Sequence, residues 1–386
     1  MTNKFVLILA DQINPRNLAH VGSLIGFQFG RKVPEMVGRN QEIPKKRDDA
    51  IEGYETRTHL GITTQNLPVL NGLSFDNMRA LRNSLRDIDG LIMTEITDAV
   101  ATSATYSEYA QAIATTPTEQ VNYWGIGVYG DEDAINRCTQ AQGLKLYDKQ
   151  PKIPNADTEE KRLFGGELDG PVIKLVLANN LSGGRLANTA TILGVTYGKL
   201  YGDSIFGPDL VDADGRVILG LPNIDLAILN GHSEKRLEMR AFREALHEQT
   251  DLSVVDVTDA TGKTRDYGDY LAIAEATPVL ETVYWGVGIC GPNELVTSIA
   301  SGFGPYITSA EEQAEIKKQE TAKKVAARNA ANNAGKAATE KKDNRSAFNS
   351  AAAEGKLGWQ PQSSAAHVTK VDEKASAETV FSSTMG

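Results

Sequence analysis

The chain is built from one set of motifs written twice. Thr-Asp-Ala occurs at 97–99 and again at 258–260, and Tyr-Trp-Gly-x-Gly occurs at 123–127 and again at 284–288. A period of this length is much longer than the unit of a solenoid repeat and matches a whole domain. The sequence therefore predicts two copies of one domain.

The order of predicted elements is repeated as well. An apolar strand at 5–10 or 173–178 leads into a helical pattern, and strands and helices then alternate. Such alternation predicts a sheet with helices on both faces. We expect two tandem three-layer α/β/α sandwich domains, at 1–142 and 170–304, joined by a linker at 143–169. Between the first helix and the second strand, each copy is predicted to have a loop rich in Gly and Pro.

The composition changes after Thr308 to Ala, Lys, Glu, Asn and Ser. Within this C-terminal region, 305–386, oppositely charged residues at helical spacing predict a solvated helix from Glu311 to about Ala334. Beyond Gly335 the low apolar content predicts a disordered tail.

Composition also bounds the partners. The formal net charge is −10 and neither copy has a cluster of Lys and Arg with interleaved aromatics, which argues against tRNA or other nucleic acid as a partner. No apolar run is long enough for a membrane span. Cys138 and Cys290 lie at different places in their copies and support neither a disulfide scaffold nor a zinc site. We expect a soluble, cytoplasmic protein without metal or cofactor.

The ordered motifs resemble an uncharacterised bacterial family, domain of unknown function 2000 (DUF2000), whose fold is related to the type II peptidyl-tRNA hydrolases. The resemblance rests on Leu-Gly-Ile-Thr at 60–63, on Thr-Asp-Ala at 97–99 with Tyr106 and Tyr109, and on the Gly-rich last strand. It covers both copies and implies a peptidyl-tRNA hydrolase II-like fold for each.

In the hydrolases, a Gly-Lys pair opens the first helix and an Asp-Ala-Gly turn faces it. Carried over by position, the Lys falls on Asn17 in the first copy and on Arg185 in the second, while the Asp falls on Asp98 and Asp259. An Asn has no ammonium, and an Arg is a fixed fork that keeps its proton. The resemblance therefore implies the fold without peptidyl-tRNA hydrolysis.

Asp98 and Asp259 follow a buried strand, at the edge where open α/β sheets place ligand groups, and are the candidate catalytic carboxylates. A structural role, in which the carboxylate caps the following turn, is an equal alternative.

The candidate ligand-binding residues lie at the start of the first helix of each copy. They are Arg16, Asn17 and His20 in the first copy and Gly183, Gly184, Arg185 and Asn188 in the second. The two glycines would offer helix amides beside a guanidinium, so the second copy is expected to bind an anion first. A lone His such as His20 is more often a hydrogen-bonded helix residue than a catalytic base.

Both copies match G-x-G-x-x-G, at 125–130 and 286–291. The glycines lie inside the last strand, not after the first, so close packing in a central strand is expected in preference to dinucleotide binding. Aromatic residues on the apolar face of the third helix of each copy are expected in the core in preference to stacking on a ligand. They are Tyr106, Tyr109, Tyr267 and Tyr270.

Two functions of different class remain. The first is a non-catalytic small-molecule-binding or scaffolding module, in which the two copies pack as a pseudo-symmetric pair. The missing Lys favours it. The alternative is a hydrolase-like enzyme that uses the carboxylate of Asp259, or of Asp98, on a small carbonyl or anionic substrate.

Overall fold

A computed structural model describes residues 2–48, 51–147, 171–231, 236–247, 249–264 and 266–308, with a few further positions between 310 and 325. Residues 1–316 form one compact unit, which contains both repeats. The predicted linker after residue 147 and most of the predicted helix and tail after Thr308 lie outside the described residues.

The first repeat contains seven strands and five α-helices. The strands are β1 (Asn3–Leu9), β2 (Gln41–Asp48), β3 (Ile51–His59), β4 (Val69–Asn71), β5 (Ile92–Thr97), β6 (Tyr123–Asp131) and β7 (Lys145–Leu146). The helices are α1 (Pro15–Lys32), α2 (Phe75–Arg86), α3 (Ala99–Thr102), α4 (Tyr106–Thr115) and α5 (Glu132–Ala141). Short 3-10 turns cover Pro34–Met36 and Thr118–Gln120.

The described part of the second repeat contains six strands and four α-helices. The strands are β8 (Val172–Ala178), β9 (Leu210–Val211), β10 (Val217–Ile218), β11 (Leu226–Gly231), β12 (Ser253–Thr258) and β13 (Tyr284–Gly291). The helices are α6 (Gly183–Tyr201), α7 (Arg236–Ala245), α8 (Tyr267–Ala276) and α9 (Asn293–Ala300). Short 3-10 turns cover Gly202–Ile205, Asp259–Gly262 and Val279–Glu281.

The main sheets of the two repeats share the order of four strands, and β7 adds a fifth strand to the first sheet. The order is β5-β6-β1-β4-β7 in the first repeat and β12-β13-β8-β11 in the second. The central strand β1 runs parallel to β4 and antiparallel to β6, and β8 pairs in the same senses with β11 and β13. The chain is thus a mixed α/β protein in which one topology occurs twice.

The helices α1 and α6 form a layer between the two sheets. Both are buried around almost their whole circumference, as expected for a helix inside a core. The largest hydrophobic cluster joins side chains of β1, α1, β8 and α6. Two smaller clusters lie under α2 and α5 on the first sheet and under α7 and α9 on the second. A core shared by both repeats is therefore added to the cores that the sequence predicts for each copy.

Small residues at every fourth position bring the backbones of α1 and α6 together. A Cβ added to Gly22, Gly26 or Gly30 would overlap a backbone carbonyl oxygen of α6. Glycine at these positions lets the two helix backbones approach closely. The oxygens belong, in the same order, to Ala187, Thr191 and Val195. Since the contacts advance in one direction along both helices, the helices are parallel.

The contact is also reciprocal. Gly194 of α6 faces the carbonyl oxygen of Ser23, and Gly198 faces that of Phe27. Ser23 and Phe27 are the repeat counterparts of the α6 residues that face Gly26 and Gly30. The helix pair therefore has the symmetry of a two-fold dimer within one chain.

Each repeat sends the segment after its first helix onto the other repeat. The segment contains the antiparallel pair β2–β3 in the first repeat and β9–β10 in the second. Gly38 packs on the ring of Tyr267, and Gly207 packs on the ring of Tyr106. The sequence predicts both segments as loops, and this prediction is wrong. The strands escaped prediction because they pair outside the main sheets and show little alternation of apolar and polar residues.

The glycines of the last strands pack as the sequence predicts. Gly125 and Gly127 in β6 lie against side chains of α1, and Gly286 and Gly288 in β13 lie against side chains of α6. A Cβ at any of the four would overlap those side chains. The interpretation as close packing in a central strand is confirmed.

Residues outside the predicted domain boundaries also contribute to the folded unit. The strand β7, in the predicted linker, pairs with β4, and Tyr147 donates its N–H to Val69 O at 2.8 Å. Tyr306, in the predicted tail, is fully buried and donates its N–H to Ile228 O at 3.2 Å.

Within the described residues, no helix is long and apolar enough to cross a membrane.

The glycine contact gives a stability prediction. We expect Gly26→Ala to lower the free energy of unfolding by about 1 to 3 kcal/mol through overpacking. This loss should appear although Ala is favoured over Gly in a helix by about 1 kcal/mol, because the opposing group is a backbone oxygen that cannot rotate away. The matched control is Gly302→Ala, since nothing lies within 4 Å of a Cβ there. Equal urea midpoints for the two variants would contradict the prediction.

Candidate functional site

A polar cleft lies where the loop between β3 and β4 meets α6 and α8, so both repeats line it. Its volume is about 70 Å³, which is room for several water-sized groups. Hydroxyl and amide side chains dominate its walls. They include Thr63, Thr64 and Gln65 from the first repeat and Asn188, Thr264 and Tyr267 from the second.

Hydrogen bonds across the repeats, and others within the first repeat, hold this cleft in shape. Asn188 Nδ2 donates to Leu67 O at 2.7 Å, which fixes the loop of the first repeat on α6. Thr64 donates its N–H to Met36 O at 2.7 Å and its hydroxyl to the same oxygen at 3.1 Å. The Tyr267 hydroxyl donates to Arg39 O at 3.4 Å. The cleft therefore exists only when both repeats are folded against each other.

The two candidate catalytic carboxylates occupy corresponding positions with different partners. Asp98 donates its N–H to Asn122 O at 3.0 Å, just before β6, and Asp259 donates its N–H to Val283 O at 2.9 Å, just before β13. Asp98 Oδ2 accepts from Asn122 Nδ2 at 2.8 Å. Asp259 Oδ2 lies 2.7 Å from Lys263 Nζ. Thr261, in the same 3-10 turn as Asp259, lines the cleft, whereas Asp259 does not.

The predicted anion site at the start of α6 has a different environment. Gly183 and Gly184 are buried, and a Cβ on Gly184 would overlap the carbonyl oxygen of Tyr147. This close contact with Tyr147 accounts for a glycine at position 184 without a role in binding an anion. Arg185 is exposed, and its guanidinium carbon lies 5.3 Å from the centre of the Trp285 ring. Of the candidates in this helix, Asn188 is the one that lines the cleft.

The corresponding residues of the first repeat are mostly inside the protein. Arg16 is buried, and its Nη2 donates to Tyr306 O at 3.5 Å. Asn17 donates its N–H to the capping side chain of Asn14 at 2.8 Å. His20 is also buried. The structure does not bring these three residues to the cleft.

Each repeat further buries an arginine against an acidic residue of the neighbouring strand. Arg82 donates to both carboxylate oxygens of Glu95 at 2.7 Å, and Arg243 Nε donates to Asp256 Oδ2 at 2.6 Å. The sequence analysis did not predict these pairs, although the sequence carries a signal for them. In both copies the arginine is the last residue of a repeated Arg-Ala-x-Arg motif, and the acidic residue follows it at the same spacing (82 to 95 and 243 to 256).

The hairpin of the opposite repeat adds a third group to each pair. Asp212 Oδ2 accepts from Arg82 Nη2 at 3.1 Å. On the other side, His59 Nδ1 lies 3.1 Å from Asp256 Oδ1, and its Nε2 lies 3.0 Å from the Tyr270 hydroxyl. In the described part of the chain, no group of three or more His, Cys, Asp or Glu is placed to hold a metal ion.

In the cluster around Arg243, the pKa values of Asp256 and Tyr270 are shifted in opposite directions. Burial by itself would raise the pKa of Asp256, but Arg243 and His59 outweigh it and hold this pKa well below its usual range. Burial raises the pKa of Tyr270 well above its ordinary value, and the charge of Asp256 adds to the effect. Asp256 is therefore a permanent anion in the folded protein at neutral pH.

Comparisons with known proteins identify the family. The family model "Protein of unknown function (DUF2000)" matches residues 3–147 and again residues 173–306. The chain belongs to this family and contains its domain twice, which confirms the predicted resemblance to DUF2000 and the tandem repeat. No curated protein matches the chain.

One solved structure is similar, that of Atu0240, a protein of unknown function from Agrobacterium tumefaciens strain C58. It shares 14% sequence identity with a TM-score of 0.31, and the alignment covers 38% of this chain and 98% of that one.

The depressed pKa of Asp256 predicts an acid-sensitive contribution to stability. Because this pKa is lower in the folded than in the unfolded chain, the contribution is present above the unfolded value of about 3.9 and is lost as pH falls towards the folded value. We expect Asp256→Asn to be less stable at pH 7 by about 3 to 5 kcal/mol, since Arg243 loses its partner. Its stability should also fall less than that of the wild type between pH 4 and pH 3.

Urea titrations at these pH values measure both effects. Asp87→Asn serves as the control, because the side chain of Asp87 is 76% exposed beside Arg86. If the Asp256 and Asp87 variants lost stability with acid equally steeply, Asp256 would not carry the effect.

Proposed function

We propose that this chain is a non-catalytic small-molecule-binding module whose ligand is a small, neutral, polar molecule held in the cleft between the repeats. The observation that carries the proposal is the composition of the cleft wall. Hydroxyl and amide groups from both repeats converge there beside the rings of Tyr267 and Tyr270. Such groups bind a ligand by directional hydrogen bonds, and the rings offer it apolar contact.

The charges around the cleft support a neutral ligand. Asp266, at the rim, already accepts hydrogen bonds from the N–H groups of Gly268 and Asp269 as the cap of α8, at 2.7 and 3.2 Å. Thr264 donates its hydroxyl to Ala260 O at 3.1 Å, so its lone pairs are left to accept from a ligand N–H or O–H. The wall therefore offers hydrogen bonds mainly from neutral groups, and the carboxylate in it, Asp266, is already engaged by two backbone N–H groups.

We infer that each repeat is a three-layer α/β/α sandwich of the peptidyl-tRNA hydrolase II type, with α1 and α6 serving as the inner layer of both. The mixed sheets with helices on each face support this inference. The acidic composition and the replacement of the hydrolase Lys by Asn17 and Arg185 argue against cleavage of peptidyl-tRNA.

A hydrolase-like activity at Asp259 is the second candidate. It is favoured by Lys263, whose ammonium lies 2.7 Å from the Asp259 carboxylate and so supplies the group that is missing from the position of Arg185. The corresponding Asp98 has a neutral partner, Asn122. If chemistry occurs, it is expected in the second repeat.

Removal of one cleft hydroxyl tests the binding proposal. The probes are acetamide, N-methylacetamide and glycerol, followed by ligand-observed NMR on the full chain. We expect Thr264→Val to weaken the bound probe about fivefold, equivalent to one hydrogen bond of about 1 kcal/mol. The matched control is Ser103→Ala, at the corresponding position of the first repeat. No saturable binding, or equal affinity in both variants, would contradict the proposal.

A separate measurement decides between binding and hydrolysis. We expect the wild-type chain to hydrolyse p-nitrophenyl acetate and small amides no faster than the buffer does. Turnover that is lost in Asp259→Asn and kept in Asp98→Asn would replace the binding module by the hydrolase.

A further inference from the structure

We propose that a carboxylate group binds at Arg243 of the second repeat, in a small cavity that both repeats line and that is distinct from the polar cleft. The cavity has a volume of about 20 Å³, and its lining includes Arg243 with its partner Asp256, Arg57, His59, Tyr284 and Ile43. A space of this size takes about one water-sized group. It suits the carboxylate of formate, or the carboxylate end of a longer acid whose remainder stays at the mouth, where Thr58 is exposed.

The first observation is the difference between the two buried arginines. Arg82 uses Nε and Nη2 on Glu95, and Nη2 also donates to Asp212, while its buried Nη1 has no acceptor among the described residues. Arg243 donates through Nε to Asp256, whose side chain is one methylene shorter than that of Glu95. Among the described residues, no group accepts a hydrogen bond from Nη1 or Nη2 of Arg243, although the residue is only 5% exposed. Two donors of a buried guanidinium are thus left facing the cavity.

The second observation is what the first repeat places at the corresponding point. Gly38 and Gly207 make the same contact with a tyrosine of the opposite repeat, which aligns the two crossing segments. Five positions later these segments carry Ile43 and Asp212 (38 to 43 and 207 to 212). Asp212 brings its carboxylate to Arg82, whereas Ile43 lines the cavity beside Arg243 with an apolar side chain. The second repeat therefore lacks the carboxylate that the first repeat receives.

A third donor borders the same cavity. Tyr284 is 6% exposed, and its hydroxyl makes no hydrogen bond to a described residue. Its counterpart Tyr123 lies under Arg82, with the guanidinium carbon 5.3 Å from the ring centre. An incoming carboxylate would accept from the guanidinium fork and from this hydroxyl, an arrangement that favours a planar, bidentate acceptor.

The first repeat provides the precedent for a second carboxylate on a buried arginine. Arg57 forms a two-pronged ion pair with Glu244, so these two charges compensate each other. Arg243 and Asp256 form a second compensated pair. Adding one carboxylate gives Arg243 two acidic partners, which is the arrangement that Arg82 already has with Glu95 and Asp212. A neutral ligand would leave the Nη groups with weaker acceptors.

A pair of variants at Ile43 tests the site with formate as the probe. Formate is titrated into the full chain at constant ionic strength, with chloride as the replaced anion, and binding is followed by calorimetry. We expect wild type to bind one formate saturably, and Ile43→Asp to bind it at least about tenfold more weakly, because its own carboxylate takes the place of Asp212 on Arg243. Ile43→Asn, which has the same shape without the charge, should bind within about threefold of wild type.

A second pair of measurements covers a failure of Ile43→Asp to fold, which circular dichroism would reveal. Arg243→Lys keeps the charge and loses the fork, so formate binding should weaken by about tenfold. In Asp212→Ala, formate should raise the melting temperature by occupying the vacated place on Arg82. Absence of saturable binding in wild type, or unchanged binding in Ile43→Asp or Arg243→Lys, would overturn the proposal. Since Thr264 does not border this cavity, Thr264→Val should leave formate binding unchanged.

Discussion

The parallel contact between α1 and α6 fixes the positions of most other elements in the two repeats. With glycine at the crossing points, the backbones touch, and a helix pair held this closely cannot slide by a side chain's width. Each helix also carries one sheet on its outer side, so the two sheets take the two-fold relation of the pair. The crossing segments then reach equivalent places, which is why Gly38 and Gly207 meet Tyr267 and Tyr106 in the same way.

Because each repeat places the segment after its first helix on the other repeat, the sites belong to the pair of repeats and to neither repeat alone. The cleft takes one wall from each repeat, and the hydrogen bond from Asn188 to Leu67 O closes it. The buried arginine clusters follow the same rule, because Asp212 and His59 each reach across to the opposite sheet. Any ligand bound at these places would stabilise the contact between the repeats, since binding to the folded pair shifts the folding equilibrium.

The periodicity and order of motifs were sufficient to predict the four longer strands of each main sheet, the longer helices and the packed glycines of β6 and β13, because each depends on local sequence. They did not predict β7 or the pairs β2–β3 and β9–β10. The shared core was not predictable in that way, although the spacing of Gly22, Gly26 and Gly30 is visible in the sequence. Asn188 was found as a helix-start residue, but Thr63 and Thr264 come together only through the contact between the repeats. A residue's partner in the opposite repeat leaves no pattern in its own segment.

The two repeats differ most where their buried charges are satisfied. In the first, Arg82 has two carboxylates, and Asp98 is held by a neutral amide. In the second, no described residue accepts from Nη1 or Nη2 of Arg243, and Asp259 pairs with a half-exposed lysine. Arg82 also keeps one donor without an acceptor among the described residues, its buried Nη1. Arg243 differs because it lines a cavity, so a ligand or water can complete its donors. The second repeat therefore retains the groups through which a small molecule could be recognised.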